Sequence, residues 1–438
     1  MALYAVLALV APHVRVGSLI VPYEIFAAPP VLLVTLARTR QWLPRRASIL
    51  LAIHLGVCVV ATAAANASLG AAPDWIAMAG LLRGALQAVA LASALTSVQL
   101  RAVAAAVILV NLGLTVVQVL FPASVALFDY LYFKESLVPI RLLREMGGFA
   151  RATGSFGSPI DLGGLALTVL AAATAQLLLG RRSHLTVLVL GASLICGVAS
   201  LSKTFLLGAP LVLGGLALTS IFLAKGDRRL ASAGRFLFGL IPLGGVAALL
   251  VVNWMRGRGM PVDWYLGYFT RPTDALVTRY AAADGGLNAA MQVFRENWVL
   301  GVGFTRPSGE FLGDSLYVTV LHDAGVVGGA LFFAYVLWLG VAALAGRDLE
   351  RLGILVAFVI AGVAFPVFPN LLGALAIAFC ERRSWEARHD QAPAAVRMRG
   401  ATPVAASVGR ASASAGELVR GTGHPPTGSA RCQAAGGR

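Results

Sequence analysis

The chain has 438 residues, of which 58% are hydrophobic and 13% are charged, with a mean hydropathy of +0.80 and a formal net charge of +15. This composition excludes a soluble protein built around a single core, and apolar runs of about 20 residues predict membrane-spanning α-helices rather than a barrel. The basic residues lie mostly in short loops between apolar runs, so they indicate membrane topology and argue against nucleic acid as a partner.

Taken in chain order, the apolar segments predict an all-α polytopic membrane domain over residues 1–390. About twelve transmembrane helices are expected, at residues 2–11, 19–37, 47–65, 75–95, 102–120, 160–180, 185–201, 204–223, 236–252, 324–346, 352–365 and 371–379. The first run has neither a basic n-region nor a cleavage site, so it is predicted to be retained. Short loops rich in arginine mark the cytoplasmic side, which places both termini there. Residues 391–438 lack periodicity and predict a disordered cytoplasmic tail.

Two longer hydrophilic stretches fall on the external side of this topology, at residues 121–159 and 253–315. The second is the longest break in the apolar pattern. A loop of such length is usually functional or disordered, and its aromatic content argues against disorder. The apolar sequence after Asp314 is too long for one span, which predicts a short external helix followed by a span that begins near Ala324.

Four cations on or near the external side are candidates for binding an anionic lipid-linked group. Arg83 lies eight residues into the span from Trp75, or about 12 Å below the boundary, where a cation costs ~2.5–3.5 kcal/mol and usually faces a polar interior. With Arg151, Lys203 and Arg279 it would form a cluster suited to a pyrophosphate, which arginine binds in a bidentate manner. The alternative for Lys203 is snorkelling to the interface, and for the loop arginines it is solvation or ion pairing.

A series of short motifs follows in a fixed order over about residues 151–373. An arginine precedes a glycine–aromatic pair and a Ser-Pro step that opens a span, and a Ser-Lys pair, a second arginine, a glycine-containing turn and an acidic residue come after it. The motifs are residues 151–163, Leu201–Thr204, Arg279, Asn297–Phe304, Asp314–Tyr317 and Gly325–Gly328. In order, spacing and placement relative to the spans, they resemble the O-antigen ligase and Wzy-type O-antigen polymerase family.

This resemblance implies a type C glycosyltransferase-like fold with a large periplasmic loop in the bacterial inner membrane. It implies a metal-independent glycosyltransferase without a cofactor, acting on undecaprenyl-pyrophosphate-linked glycan among membrane lipids, with a flippase and a chain-length regulator as protein partners. Ligases of the family carry histidine followed by Asn or Ser where this chain has Gly313-Asp314-Ser315. That difference favours a polymerase of O-antigen, capsule or exopolysaccharide repeats over a ligase, and a polytopic transporter or flippase is the alternative from another class.

Glycosyl transfer from a lipid pyrophosphate needs cations for the leaving group and a base for the acceptor hydroxyl. Asp314 is one candidate base, with the alternative that it caps the helix that follows. His322 is the other, with a structural histidine as the alternative. Four aromatic residues would stack on sugar rings unless they are interfacial anchors, namely Trp264, Tyr265, Tyr268 and Trp298. The four cysteines form neither a disulfide framework nor a CxxC metal motif, and no metal site is predicted.

Overall fold

The computed structural model describes residues 1–12, 14–16, 19–21, 37, 45–132, 151–224, 227–257, 271, 286–307, 315–363, 367–368 and 370–390. Its helices are α1 (Ala2–Val10), α2 (Arg45–Leu69), α3 (Trp75–Ala94), α4 (Ser97–Leu120), α5 (Val125–Tyr132), α6 (Pro159–Leu178), α7 (His184–Ala199), α8 (Lys203–Leu223), α9 (Arg228–Gly257), α10 (Gly286–Glu296), α11 (Leu316–Ala345), α12 (Leu349–Gly362) and α13 (Leu371–Asp390). An antiparallel pair of short strands, β1 (Val14–Val16) and β2 (Leu19–Val21), follows α1. Strand β2 occupies the first three residues of the predicted 19–37 span, so these residues are extended and not helical as predicted.

Six helices in the described part of the chain are long and apolar enough to cross a membrane. They lie at Ile49–Leu69, Ala77–Ala94, Ser97–Leu120, Pro159–Leu178, Lys203–Leu223 and Leu316–Ala345. Large apolar side chains point outward from them: Leu211 is 62% exposed, Phe222 77% and Leu337 67%. An outer surface of this kind suits apolar surroundings. The helical architecture is therefore compatible with a multi-pass membrane protein.

Polar residues with N-cap chemistry fix where several helices begin. Thr96 and Gln99 form a reciprocal capping box at the start of α4. Ser158 caps α6, and Pro159 occupies its first turn. The side chain of Asp348 accepts a hydrogen bond from Arg351 N at the start of α12. These caps satisfy backbone N–H groups that have no partner inside the helix, so they define the boundaries of the apolar segments.

Helix α6 is the central helix of the described structure. Within its apolar window 67% of the residues are buried, against 33–44% for the other five candidate spans. Its small residues allow this close packing: a Cβ atom on Gly163 would lie 2.5 Å from Ser202 Cβ, and Ala171 lies against Gly353 of α12. Small residues let membrane helices approach closely enough to gain van der Waals contact.

Contacts at the two ends of α12 show which helix ends lie together. A Cβ atom on Gly362, at its last residue, would lie 3.1 Å from Leu316 at the start of α11. Near its first residue, Glu350 accepts a hydrogen bond of 3.0 Å from Gln176, close to the end of α6. The starts of α6 and α11 therefore lie toward one end of the bundle, which we call the His322 end, and their last turns lie toward the other, the Glu350 end.

The Glu350 end is tied together by ion pairs and polar contacts. Arg101 Nε lies 3.0 Å from Glu350 Oε1, and Arg383 Nε lies 3.1 Å from Asp348 Oδ2. Arg383 was expected just after the last span, but α13 continues through it to Asp390. Arg383 pairs with the residue that caps α12, and Arg382 pairs with Glu386 one turn further along α13, so both basic residues are accommodated within the helix.

Glu386, on the last turns of α13, joins that helix to the start of α4. Its Oε1 accepts a hydrogen bond of 3.1 Å from Ser97 N and one of 2.9 Å from Arg382 Nε. Burial acts to raise the pKa of Glu386, but the hydrogen bonds from Ser97 and the interaction with Arg382 outweigh it, so its pKa lies below the ordinary value.

Candidate active site

Helix α11 is broken at Gly325. This residue has φ +59° and ψ −163°, a conformation essentially restricted to glycine, inside an otherwise continuous helix. The break confirms the predicted division into a short first helix and a longer one that begins near Ala324. It also frees backbone groups on both sides, which need new partners when they are buried.

The turn Asn297–Phe304 supplies those partners. Val326 N donates to Trp298 O at 2.8 Å, and Val327 N donates to Val299 O at 3.1 Å. In return, the carbonyl groups of His322 and Asp323 accept hydrogen bonds of 2.9 Å each, from the backbone N–H groups of residues 302 and 303. The turn and the helix break therefore form one hydrogen-bonded unit.

Gly301 is what lets the turn approach the helix so closely. It has φ +69°, and a Cβ atom there would collide with the carbonyl oxygen of His322 and lie 2.6 Å from Gly325 N. Any larger residue would push the turn away from the break. The glycine-containing motif in the sequence is thus explained by the close approach of two backbone segments.

The break places an ionisable cluster at the last turn of the short helix. His322 Nδ1 lies 2.8 Å from Asp323 Oδ1, and Arg306 Nη1 lies 3.2 Å from the same oxygen. His322 is fully buried, and Asp323 is 6% exposed. With its proton on Nδ1, the imidazole donates to Asp323, and Nε2 is then the nitrogen that can accept a proton. A histidine oriented by a carboxylate has the arrangement of a general base.

Helix α2 anchors the turn from its other side. Phe304 N donates a hydrogen bond of 2.9 Å to Thr62 Oγ1, and this hydroxyl donates to Cys58 O at 2.7 Å. One turn of helix further away, His54 Nδ1 lies 2.9 Å from Gly328 O, just beyond the break. Contacts on both sides of Gly325 thus fix the position of the cluster relative to α2.

The segment before α6 brings a second cation to the His322 end. Arg151 is 9% exposed, and its Nε donates to Ser200 O at 3.1 Å. Lys203 is the first residue of α8, so it directly follows the connection that Arg151 contacts. Leu201 in this connection has φ +46°, a left-handed conformation that costs a non-glycine residue about 1–3 kcal/mol. Arg151 is thus held against the connection between α7 and α8.

The other predicted site residues have different placements. Arg83 is half-buried on α3. Trp298 is 57% exposed, and its carbonyl group accepts a hydrogen bond from Val326 N at the helix break. The remaining predicted residues lie outside the described part of the chain, namely Asp314, Arg279, Trp264, Tyr265 and Tyr268. The N-cap of α11 is Ser315, whose side chain accepts from Val318 N at 3.4 Å, so the capping role considered for Asp314 belongs to the next residue.

Parts of the hydrophilic stretch 253–315 are helical, which the sequence analysis did not anticipate. Helix α9 continues past Asn253 to Gly257. Helix α10 lies within the stretch, and its Leu287 and Ala290 are buried together with Val318 of α11. The apolar face of α10 therefore packs on the short helix that carries the candidate site.

Two members of the cluster, Asp323 and Arg306, were not among the predicted site residues. A signal for Asp323 was present, since a His-Asp pair inside apolar sequence is costly unless the pair is hydrogen-bonded. Arg306 had no such signal, because it lies among other loop arginines. Within the described residues, no group of three or more His, Cys, Asp or Glu side chains is arranged to hold a metal ion. No protein-family model matches the chain, and no curated protein matches it.

Proposed function

We propose that this chain is a polymerase of the bacterial inner membrane that joins undecaprenyl-pyrophosphate-linked oligosaccharide repeats at the periplasmic face. The observation that carries the proposal is the buried His322–Asp323 pair, held at a helix break at the same end of the bundle as Arg151 and Lys203. A general base and a set of cations are what glycosyl transfer from a lipid pyrophosphate requires.

In the proposed reaction, His322 Nε2 accepts the proton of an acceptor sugar hydroxyl, and the hydroxyl oxygen forms a bond to the anomeric carbon of the donor. The bond from that carbon to the pyrophosphate oxygen breaks, and the pyrophosphate leaves with the electron pair. Asp323 stabilises the histidinium that forms, and the positive charge of Arg306 partly neutralises the Asp323 carboxylate. The cations assigned to the leaving group are Arg83, Arg151, Lys203 and Arg279, and the aromatic residues assigned to the glycan are Trp264, Tyr265, Tyr268 and Trp298. Asp314 is the alternative base.

The membrane placement belongs to the same proposal. About twelve spans would carry both termini and the tail 391–438 on the cytoplasmic side, with residues 121–159 and 253–315 outside. Supporting this orientation, Arg101, Arg181, Arg182 and Arg347 all lie at or beside the Glu350 end of the described helices. The His322 end would then face the periplasm. Cysteine labelling of Arg182→Cys and of Trp298→Cys with a membrane-impermeant reagent tests it: labelling of position 182 alone in intact spheroplasts would contradict the proposal.

The chemical proposal is tested by glycan length analysis in a deletion strain that expresses the full chain or its variants. We expect His322→Ala, at the protein level of the parent, to leave single repeats in place of polymer, because losing a general base lowers a rate by about 10²–10⁴-fold. His184→Ala is the matched control, since His184 is exposed at the start of α7, near the Glu350 end. Polymer of normal length from His322→Ala would exclude this base.

Asp314→Asn separates the two candidate bases in the same strain. Single repeats from Asp314→Asn together with normal polymer from His322→Ala would assign the base to Asp314 and leave the polymerase proposal standing. Normal polymer from both variants, or an unchanged glycan profile in the deletion strain itself, would refute it.

Two alternatives differ in what they predict for the deletion strain. A ligase would leave polymer intact but unattached to its acceptor. A transporter or flippase is the alternative because helix α11 is discontinuous, and transporters commonly place substrates at such breaks. Loss of a flippase would retain single lipid-linked repeats on the cytoplasmic side, which accessibility to an added glycosidase in inverted vesicles detects.

A further inference from the structure

A cavity of about 280 Å³ lies toward the Glu350 end of the bundle, and no residue of the candidate active site lines it. It is bounded by α4, α6, α7, α12 and α13, and its inner wall consists of apolar side chains such as Ala105, Leu165, Ala172 and Leu372. Neither the site at the helix break nor the glycan chemistry proposed above uses any of these residues.

The lining residues on α6 run from Leu165 to Gln176, eleven steps along the helix that span about 16 Å at ~1.5 Å per residue. The hydrocarbon core of a bilayer is ~30 Å thick. The cavity is therefore as deep as one leaflet. Leu165 lies at its inner end, and Gln176 lies at the end nearest the helix termini.

The outer end of the cavity is polar. Arg101, Gln176 and Thr186 line it, and Thr186 Oγ1 donates to Gln176 Oε1 at 3.4 Å. Arg101 keeps a side chain that is 22% exposed although it pairs with Glu350, and it lies 5.9 Å from the ring centroid of Phe379. The loop that leads into α7 adds two exposed cations immediately before Ser183, at positions 181 and 182. Two exposed cations therefore lie in the loop beside the outer end, where Arg101 is paired with Glu350, and the interior of the cavity is apolar.

We propose that this cavity binds one acyl chain of an anionic glycerophospholipid, with its phosphate held at Arg101, Arg181 and Arg182. The depth matches a chain of one leaflet, the apolar wall matches hydrocarbon, and the charge of the rim complements a lipid phosphate. Arginine is suited to that contact because its guanidinium binds phosphate oxygens in a bidentate manner. The proposal depends on the placement of the bundle in a membrane and not on the glycan chemistry, so failure of the His322 experiments would leave it unaffected.

Native mass spectrometry of the purified, delipidated full chain tests the proposal, with palmitoyl-oleoyl-phosphatidylglycerol and palmitoyl-oleoyl-phosphatidylethanolamine titrated separately. We expect one molecule of phosphatidylglycerol to bind per chain, with a higher affinity than phosphatidylethanolamine. An arginine near an anionic headgroup contributes about a fivefold factor, so the double variant Arg181→Ala/Arg182→Ala should lose on the order of twentyfold or more of this preference. Both residues are exposed, so this variant is expected to fold as the parent does.

A second variant tests the cavity itself. Ala105→Phe places a ring in the cavity and should reduce phosphatidylglycerol binding at least tenfold, whereas Ala106→Phe, one residue along α4 and outside the lining, should bind as the parent does. Equal thermal unfolding midpoints would show that both variants are folded. Unchanged binding in folded Ala105→Phe would overturn the proposal, as would equal affinities of the parent for the two lipids. If Ala105→Phe does not fold, the arginine double variant decides: a retained preference for phosphatidylglycerol overturns the proposal.

Discussion

The helix break at Gly325 makes a quantitative prediction about stability. Replacing Gly325 with alanine would put a side chain into a conformation that only glycine readily adopts, at a cost of about 1–3 kcal/mol. The added Cβ atom would also collide with the carbonyl oxygen of Val299 and lie 2.5 Å from Gly301 N, both of them backbone atoms that cannot rotate away. Such overpacking costs about 1–3 kcal/mol. We therefore expect Gly325→Ala to destabilise the protein by roughly 2–6 kcal/mol.

Gly340→Ala is the matched control on the same helix. Gly340 has helical geometry, and no atom lies within 4 Å of where its Cβ would be. The same substitution should there be neutral or stabilise by about 0.5–1 kcal/mol, because alanine loses less conformational freedom in a helix. Each variant adds one methyl group to the same helix, so the difference between their unfolding midpoints measures the effect of the break.

The measurement is the thermal unfolding midpoint of both variants, purified in one detergent. Glycan length analysis of the same variants adds a functional measurement, since the hydrogen bonds to the carbonyl groups of His322 and Asp323 depend on the turn staying docked. If Gly325→Ala unfolded at or above the midpoint of Gly340→Ala, the backbone at Gly325 would not be strained. The account of how the cluster is positioned would then also be refuted.

Three further variants test other contacts. Thr62→Ala should lower the unfolding midpoint, because Phe304 N loses its hydrogen-bond acceptor at a cost of about 1–3 kcal/mol, whereas Thr62→Ser should not. Tyr335→Phe should destabilise by a similar amount, about 1–3 kcal/mol, since Glu381 loses a hydrogen bond of 2.9 Å in a buried position; an unchanged midpoint would exclude that role. The pKa of Glu386 is lower in the folded protein than in the unfolded chain, so this group contributes stability that is present above the ordinary pKa of a glutamate and is lost as the pH falls through the lower folded value. Unfolding midpoints of the parent should therefore fall between pH 6 and pH 3 by more than those of Glu386→Gln.

Helix positions were predictable from the sequence because spans need long apolar runs. The segments predicted at 75–95 and 204–223 correspond to α3 and α8 within about one residue at each end. The division of residues 316–345 was predictable for the same reason, since the apolar run is longer than one membrane crossing. Other features were not predictable: the extension of α13 to Asp390, the two strands near residue 20, and the helical parts of the stretch 253–315. The extension of α13 depends on contacts with residues that are distant in sequence. The strands have three residues each, which is too short to leave a periodic signal.

The candidate site was less predictable than the helices, because it depends on which polar residues the fold brings together. His322 was a candidate, but its partner Asp323 was not, although the two are adjacent in sequence. Adjacent helical residues do not face each other in a regular helix. The contact arises next to Gly325, where helical geometry ends. Arg306 reaches the cluster only because the turn before it docks on that break, which no local pattern reveals.

The way in which the break at Gly325 is satisfied bears on the choice between an enzyme and a transporter. In transporters with discontinuous helices, the freed backbone groups at the break bind the substrate or its coupling ion. Here the N–H groups of Val326 and Val327 and the carbonyl groups of His322 and Asp323 all bond to the turn at residues 298–303. A cargo would have to displace these four hydrogen bonds between buried backbone groups before it could use them. The break instead fixes an imidazole and a carboxylate relative to each other, and fixed side chains are what proton transfer requires. The geometry of this break therefore favours chemistry at His322 over passage of a substrate along α11.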